Sequence, residues 1–455
     1  MRHWHPRHTL YTYRRVKKTG RINVSPPLVL TAGFAILSLI GMGLLLLPFS
    51  THQGVSALAA LFSAVSAVTI TGLTTVDIGT TYTPVGQAIL IGLVQIGGLG
   101  FVTLSVTAAL ALGKRISLQH QALAQEAFNQ TSVSTVRQIA YAIIKITFVI
   151  EIVGIAVFTL WWWQNTPFLQ ALGQGIFHGI SAFNNAGMSI STTQIIDYAG
   201  DPVIILGTTI LIILGGIGFS VIHDVRQKRS WRRLMPYTRI VILGTLALNI
   251  IGFCLIWLME RNNPATFAQL SMGDQALAAW LQTITTRTAG FNSVAISELN
   301  DSTTVLMMLF MFIGGGSLSL ASGIKIGTFI VLVAAARAYI FQHAQPTLLN
   351  RAISEDTVQK SLALLLITSL LTFFATLLMT LFESAPFISI LFEVVSAIST
   401  TGLSRDLTPT LSPASQILVI LLMFVGRLGP LALIYSLSAK RRGHIRYPET
   451  TFQVG

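Results

Sequence analysis

Residues 66–75 read Ser66-Ala67-Val68-Thr69-Ile70-Thr71-Gly72-Leu73-Thr74-Thr75, and the phrase returns as Ser396-Ala397-Ile398-Ser399-Thr400-Thr401-Gly402-Leu403-Ser404. Aligned on the glycine, two weaker copies stand between them: Ser181-Ala182-Phe183-Asn184-Asn185-Ala186-Gly187-Met188-Ser189 and Ile284-Thr285-Thr286-Arg287-Thr288-Ala289-Gly290-Phe291-Asn292. The glycines at 72, 187, 290 and 402 are 115, 103 and 112 residues apart. A second landmark keeps step with them. Gly97-Gly98-Leu99-Gly100, Gly215-Gly216-Ile217-Gly218, Gly314-Gly315-Gly316-Ser317 and Gly426-Arg427-Leu428-Gly429 begin 25, 28, 24 and 24 residues after the aligned glycines. Two markers recurring in register four times indicate an internal fourfold repeat.

Each copy sits in apolar territory. Only 10% of the 455 residues are charged and 52% are hydrophobic, whereas a soluble chain carries about 25% charged residues. Apolar runs such as Pro27 to Pro48, Ile139 to Trp163, Thr238 to Met259 and Leu362 to Phe382 have the ~20 residues needed to cross a bilayer. The segments just before the phrases, such as Ser56 to Val68 and Ile388 to Ser399, are too short for that. The expected unit is a spanning helix (M1), a short re-entrant segment (P) turning at the phrase, and a returning helix (M2). The fold class is an all-α polytopic membrane protein with four parallel M1-P-M2 repeats, eight spans and four re-entrant loops around a central pseudo-fourfold pore. The boundaries expected are a basic cytoplasmic segment 1–25, repeat 1 at 26–112, repeat 2 at 113–225, repeat 3 at 226–337 with a broken second helix, repeat 4 at 338–440, and a cytoplasmic tail 441–455.

The net charge of +13 invites a nucleic-acid reading, which its distribution excludes. Basic residues cluster at the edges of the apolar runs, in Arg2 to Arg21, Lys114 to Lys145, Arg226 to Arg239, Arg337 to Lys360 and Lys440 to Arg446. Residues 49–83, 164–201, 260–302 and 383–412 hold only Arg261, Arg287 and Arg405 among their Lys and Arg positions. This asymmetry follows the positive-inside rule, with the lipid bilayer as partner and both termini cytoplasmic. The 25 N-terminal residues lack the apolar core of a signal peptide. The lone Cys254 leaves no intrachain disulfide,.

Non-helical backbone at membrane depth must be buried in protein or line a watery cavity. Four such turns meeting on one axis satisfy that condition together. A helix entering from outside points its C-terminal end inward, with its partial negative charge and free carbonyls. Glycine permits backbone angles that turn carbonyls to the axis, and Thr and Ser add hydroxyl oxygens. Rings of uncharged oxygen dipoles can replace the water shell of a cation. With no carboxylate in the phrases, the chemistry suits a weakly hydrated monovalent ion such as K⁺ better than a divalent one. The expected K⁺-binding residues are Ile70, Thr71 and Gly72; Asn185, Ala186 and Gly187; Thr288, Ala289 and Gly290; and Thr400, Thr401 and Gly402.

With these phrases the chain resembles the Ktr/Trk/HKT superfamily of cation transporters, and within it the KtrB subunits of bacterial K⁺ uptake systems, over residues 25 to 440. The resemblance implies that the four aligned glycines are selectivity-filter glycines. A serine in the first repeat accompanies Na⁺ selectivity in plant relatives, so Gly72 favours K⁺. It also implies a bacterial inner (plasma) membrane location, a homodimer with one pore per subunit, Na⁺-dependent uptake, and a cytoplasmic nucleotide-binding regulatory ring of the KtrA type. No nucleotide-binding motif occurs in the chain, and no cofactor beyond transported K⁺ and activating or co-transported Na⁺ is expected.

Two departures from the repeat point to gating. Arg427 replaces the glycine found at 98, 216 and 315, which puts a cation in a helix interior where it needs an oxygen partner. Phe312 to Lys325 contains Gly314, Gly315, Gly316, Ser317, Ser319, Ser322 and Gly323, a composition that does not sustain a helix. It reads as a mobile loop below the filter, with Lys325 starting the cytoplasmic half, and the resemblance implies an intramembrane gate. Glu151 needs a partner the sequence does not name. Glu393 braces the filter or caps a helix, Asn184 and Asn185 can cross-link loops, and His178 reads as packing. Gly173-Gln174-Gly175 lacks the third glycine of a dinucleotide loop. A hydrolase using His178, Asp224 or Glu393 is disfavoured because no two share acid/base spacing on one helix. The alternative function is a Na⁺-permeable or K⁺/Na⁺-symporting transporter with alternating access, against which the parallel direction of the repeats argues.

Overall fold

The computed structural model describes residues 26–100, 133–317 and 319–429. The expected N-terminal segment 1–25, the 112/113 boundary, most of the second basic cluster and the tail 441–455 lie outside the described residues. The described chain is helical apart from short turns and one two-stranded hairpin pairing Thr347–Leu348 with Arg351–Ala352. In order, the longer helices, leaving out the single turn Ile78–Thr81 and the 3-10 turns, are α1 Pro26–Leu45, α2 Ala57–Thr69, α3 Pro84–Leu99, α4 Val133–Trp162, α5 Phe168–Phe183, α6 Pro202–Gly216, α7 Phe219–Lys228, α8 Pro236–Glu260, α9 Met272–Thr285, α10 Asp301–Phe312, α11 Ile326–Ile340, α12 Glu355–Phe382, α13 Phe387–Ser399 and α14 Pro413–Leu428. Among the described residues, α4, α8 and α12 are long and apolar enough to cross a membrane, and α6 with α7 would add a fourth if the bent pair counts as one span.

Local sequence sets where these helices start. Thr83, Asp201 and Ser412 cap α3, α6 and α14 with side-chain oxygens, and each is followed by Pro at the first helical position. There the missing N–H costs nothing. Ser56 and Ser271 cap α2 and α9 in the same way.

On the long apolar helices large apolar side chains face outward. On α12 the inward face carries Ser361, Thr368, Thr372, Ala375, Thr376 and Met379. The hydroxyls of Thr368, Thr372 and Thr376 bond the carbonyl four residues back at 2.8–2.9 Å, so no polar group is left open. The outward face carries Leu366, Phe373 and Leu381 at 61%, 60% and 71% exposure. Ile152, Val153 and Leu160 do the same on α4. So large an apolar exterior needs a nonpolar surrounding.

Packing closes the chain into a ring. Each helix that follows a phrase leans on the short helix of the next one: α3 on α5, α6 on α9, α10 on α13, and α14 back on α2. Among the described residues, four of five separate cores fill the joints, and the fifth packs Val221, Val241, Ile313 and Ile326 together. Phe177 and Met188 join residues 34–94, Leu281 and Phe291 join Phe158 and Ile212, Phe392 and Leu403 join Ile256 and Met307, and Phe62 and Leu73 join Ala375 and Met423.

The second glycine landmark has a packing cause. A Cβ at Gly97, Gly215 or Gly426 would strike the carbonyl of Val68, Phe183 or Ile398 respectively. Each of those carbonyls lies four residues before an aligned glycine. The landmark lets the following helix reach the backbone of the short helix.

The structure departs from the expected unbroken second helix of repeat 2. α6 and α7 meet at a 92° bend, where Gly218 takes a φ of +103°.

The packing explanation separates two glycines of one helix. Gly97→Ala should destabilise the detergent-solubilised protein by about 1–3 kcal/mol, because backbone cannot yield to the new methyl. Gly92→Ala, whose Cβ would meet open space, should leave the melting midpoint unchanged or raised, as helix propensity dictates. Equal shifts in thermal unfolding would contradict the explanation.

Candidate functional site

The four short helices end alike. The residue two before each aligned glycine is in the left-handed region: Ile70 (φ 55°), Asn185 (57°), Thr288 (60°) and Thr400 (48°). For a β-branched residue this is a genuine outlier, costing of order 1–3 kcal/mol and kept only where surrounding structure fixes it. The fixing bonds are present. Thr71, Ala186 and Thr401 N–H groups reach back to the carbonyls of Ser66, Ser181 and Ser396 at 2.8–2.9 Å, the pattern of a Schellman cap. Ala289 N–H bonds Thr285 instead.

Serine six positions before the glycine serves the turn a second time. Ser66 and Ser396 hydroxyls accept from the N–H of Gly72 and Gly402 at 3.0 and 3.1 Å. Ser181 donates to the Met188 carbonyl at 2.7 Å. The third copy has Ile284 at this place and no such bond.

The glycines themselves meet. A Cβ on Gly72 would collide with the Ala186 carbonyl oxygen, one on Gly187 would lie 2.7 Å from the Ala289 oxygen, one on Gly290 would lie 2.7 Å from the Thr401 oxygen, and one on Gly402 would collide with the Thr71 oxygen. The sequence 72→187→290→402→72 is a closed ring. In each case the oxygen belongs to the residue just before the neighbouring glycine. Glycine is therefore required for two reasons: the φ values of +96°, +64°, +79° and +90° and the lack of room for any side chain.

Buried polar side chains support the ring from behind. Glu151, 2% exposed on α4, accepts from Gln95 Nε2 at 2.9 Å and Asn184 Nδ2 at 3.0 Å, and Asn184 also donates to Gln95 Oε1 at 2.9 Å. The partner missing from the sequence reading is thus the second phrase itself. Glu393 accepts from Ser404 Oγ at 2.7 Å and from Thr408 Oγ1, which fastens the chain leaving Gly402. His178 is packed edge-on by Phe158, Trp162 and Phe291 and bonds Thr208 Oγ1 at 2.7 Å, in keeping with a packing residue. Asp224 pairs with Lys228 at 2.9 Å and accepts from Met235 N–H at 2.8 Å, which fixes the α7–α8 corner.

The described residues of 313–317 and 319–325 form a folded loop between α10 and α11. Its N–H groups answer the carbonyls freed at the α6–α7 bend: Gly316 bonds Gly216 at 2.9 Å and Leu320 bonds Gly215 at 3.1 Å. Ile313 and Ile324 pair across its neck, with Gly314 N–H on the Ile324 carbonyl at 2.9 Å. A Cβ at Gly315 or Gly316 would strike the carbonyls of Gly216 and Ile217. Ser317 N–H bonds Tyr237 Oη at 2.8 Å, Ser319 bonds the Ala321 carbonyl, and Gly323 takes a φ of +68°.

Two bonds tie the loop to the third phrase: Ser322 N–H to Thr288 Oγ1 at 3.2 Å and Arg287 Nη2 to the Gly314 carbonyl at 3.1 Å. Arg427 ties it to the other side of the ring, donating to the Leu320 carbonyl at 2.6 Å, Ser322 Oγ at 3.1 Å and the Gly97 carbonyl at 3.2 Å. Its partners are carbonyl and hydroxyl oxygens, with no carboxylate among them. Lys325 Nζ caps the Ala321 carbonyl. Arg287 was not singled out from sequence, although it is the one charged residue in the four phrases.

Comparison with known proteins follows this geometry. The family model described as a cation transport protein, TrkH, matches residues 25–441. Ktr system potassium uptake protein B of Bacillus subtilis (strain 168) is 39% identical over 438 residues, 96% of this chain and 98% of that protein. The protein of the same description from Vibrio alginolyticus is 36% identical over 96% of this chain and 97% of its own length. Potassium/sodium uptake protein NtpJ of Enterococcus hirae is 31% identical over 97% and 99%. The crystal structure of the potassium transporter TrkH from Vibrio parahaemolyticus shares the fold, with a TM-score of 0.73 at 18% identity, covering 92% of this chain and 86% of that one.

The bracing of the second phrase can be tested. Glu151→Leu removes the acceptor shared by Gln95 and Asn184 and should lower stability by about 1–3 kcal/mol, the cost of leaving buried donors unpaired. Glu151→Gln, which keeps one acceptor oxygen, should lose less than half as much. Thermal unfolding of the two purified variants measures the difference, and equal losses would contradict the bracing.

Proposed function

The chain belongs to the TrkH family of cation transport proteins, is KtrB-like within the Ktr/Trk superfamily, and is a transporter rather than an enzyme; on that premise we propose that it is the K⁺-conducting subunit of an uptake system. The observation carrying the proposal is the closed ring of glycines 72, 187, 290 and 402 with the carbonyls of residues 71, 186, 289 and 401 between them. In this reading the four parts of the chain are M1-P-M2 repeats around one pore, and the ring is its selectivity filter. Four helix C-termini face the ring, so the local potential favours a cation. Peptide oxygens from four directions replace its hydration shell. Ring and braces are held before the ion arrives, so little reorganisation is needed.

The 314–325 loop and Arg427 are the gate. The guanidinium stands on the exit path and opposes cation passage while it holds the loop. Passage follows when the loop leaves its bonds to Gly215, Gly216 and Arg427. A cytoplasmic nucleotide-binding ring of the KtrA type is the partner that drives this step, and the subunit works as a homodimer in the bacterial inner membrane with both termini cytoplasmic. Activation by Na⁺ belongs to the same proposal. A second reading, passage or co-transport of Na⁺, is favoured by one observation: the relative named a potassium/sodium uptake protein.

Purified protein in proteoliposomes should carry K⁺ (or Rb⁺) faster than Na⁺. Gly72→Ser and Gly290→Ser should each cut K⁺ flux at least about ten-fold, the factor that 1.4 kcal/mol lost at a K⁺ site represents, and shift the ratio toward Na⁺. Unchanged flux and selectivity in both variants would remove the ring from the pore.

A further inference from the structure

Behind the third phrase lies a cavity of about 20 Å³, lined by Asn185, Thr245, Asn249, Arg287 and Gly315 with apolar neighbours from α6 and α9. Three of its polar residues each have a side-chain atom without a hydrogen-bond partner in the protein: Thr245 Oγ1, Asn249 Oδ1 and Arg287 Nη1. All three residues are more than nine-tenths buried, at 8%, 3% and 8% exposure. Unpaired groups in a nonpolar interior are costly, and three around one small space identify what the space is for.

The donor inventory selects the occupant. Arg287 Nη1 can only donate, Asn249 Oδ1 as oriented can only accept, and the Thr245 hydroxyl can do either. A halide would be repelled by the amide oxygen. A metal cation would be repelled by the guanidinium. A single water satisfies all three, accepting from Arg287 and donating to Asn249 and Thr245, and the volume holds one water and little more. We infer that this cavity is a structural water site, and that through it Thr245 and Asn249 are positioning residues for the loop at 313–325.

The connection is short. Thr245 and Asn249 lie on α8. The water joins them to one amino group of Arg287, whose other amino group holds the Gly314 carbonyl at 3.1 Å. The guanidinium is planar and rigid, so fixing one nitrogen fixes the other. The water thus adds a polar anchor between the neck of the loop and α8, beside the direct bond from Ser317 N–H to Tyr237 Oη and the packing of Ile313 against Val241. The functional part of this inference rests on reading the loop as a gate; the water site does not.

Two measurements on the full-length protein test it. The first is a high-resolution structure from crystals grown in KCl and in KBr. A water-sized density within hydrogen-bond distance of Thr245 Oγ1, Asn249 Oδ1 and Arg287 Nη1, without bromide anomalous signal, is expected. An empty cavity or a bromide peak would overturn the site. The second is K⁺ flux in proteoliposomes without regulatory partner. Asn249→Leu, which fills the cavity and removes the acceptor, should raise basal flux about five-fold, the effect of one net hydrogen bond on a closed–open equilibrium. Thr245→Val should act in the same direction. Asn249→Ser, which leaves room for a second water to replace the amide oxygen, should stay within about two-fold of the unmodified protein, since a bridging water nearly equals a direct bond. Unaltered flux in both Asn249→Leu and Thr245→Val would overturn the positioning role. If the unmodified protein carries no K⁺, the proposed function fails, while the density still decides the water site.

Discussion

The structure depends on one steric constraint: at four points, backbone must touch backbone from a distant part of the chain with no side chain between. Where Gly72 faces the Ala186 carbonyl, and likewise around the ring, any larger residue would push two neighbouring turns apart. The rest follows from holding that contact. Four short helices must stop abruptly, which places Ile70, Asn185, Thr288 and Thr400 in strained left-handed geometry. Serine hydroxyls and back-reaching N–H groups hold three of the four turns. Four of the five cores are divided among the four joints, so the ring is stabilised at its circumference.

A second constraint governs the loop beneath the ring. Backbone groups released by a bend in a nonpolar surrounding must be paired. The bend after Gly216 frees carbonyls, and the loop between α10 and α11 supplies N–H groups to them. The same bonds that solve a folding problem hold the proposed gate shut. With Gly316, Leu320, Ser322 and the Arg427 contacts each worth about 0.5–1.5 kcal/mol net, the closed arrangement is favoured by roughly a few kcal/mol. A cytoplasmic partner can supply that much differential binding, so the loop is firm without being permanent.

Much of this was legible in the sequence because it is local or periodic. The apolar segments at Ser56 to Val68 and Ile388 to Ser399 became helices Ala57–Thr69 and Phe387–Ser399, a difference of at most one residue at any end. The spacing of the glycines, the helix-breaking composition of 314–323 and the need of Arg427 for oxygen partners could all be read in advance. The family follows from the same phrases. The bend between α6 and α7 could not be read. Gly215-Gly216-Ile217-Gly218 follows the pattern of Gly97-Gly98-Leu99-Gly100, and the carbonyls freed at its bend are capped by a loop about a hundred residues away. Similarly, Glu151 finds Asn184, and Arg287 finds Gly314, only once the chain has closed. Buried polar pairs of this kind leave no spacing signal because their partners lie on different helices.

In the proposed function the ring binds a bare monovalent cation through peptide oxygens. Crystals of the full-length protein grown in RbCl, with data collected at the rubidium absorption edge, test it directly. An anomalous peak is expected on the axis, enclosed by the carbonyl oxygens of Thr71, Ala186, Ala289 and Thr401. A ring without rubidium, in crystals that show the ion bound elsewhere or nowhere, would contradict it.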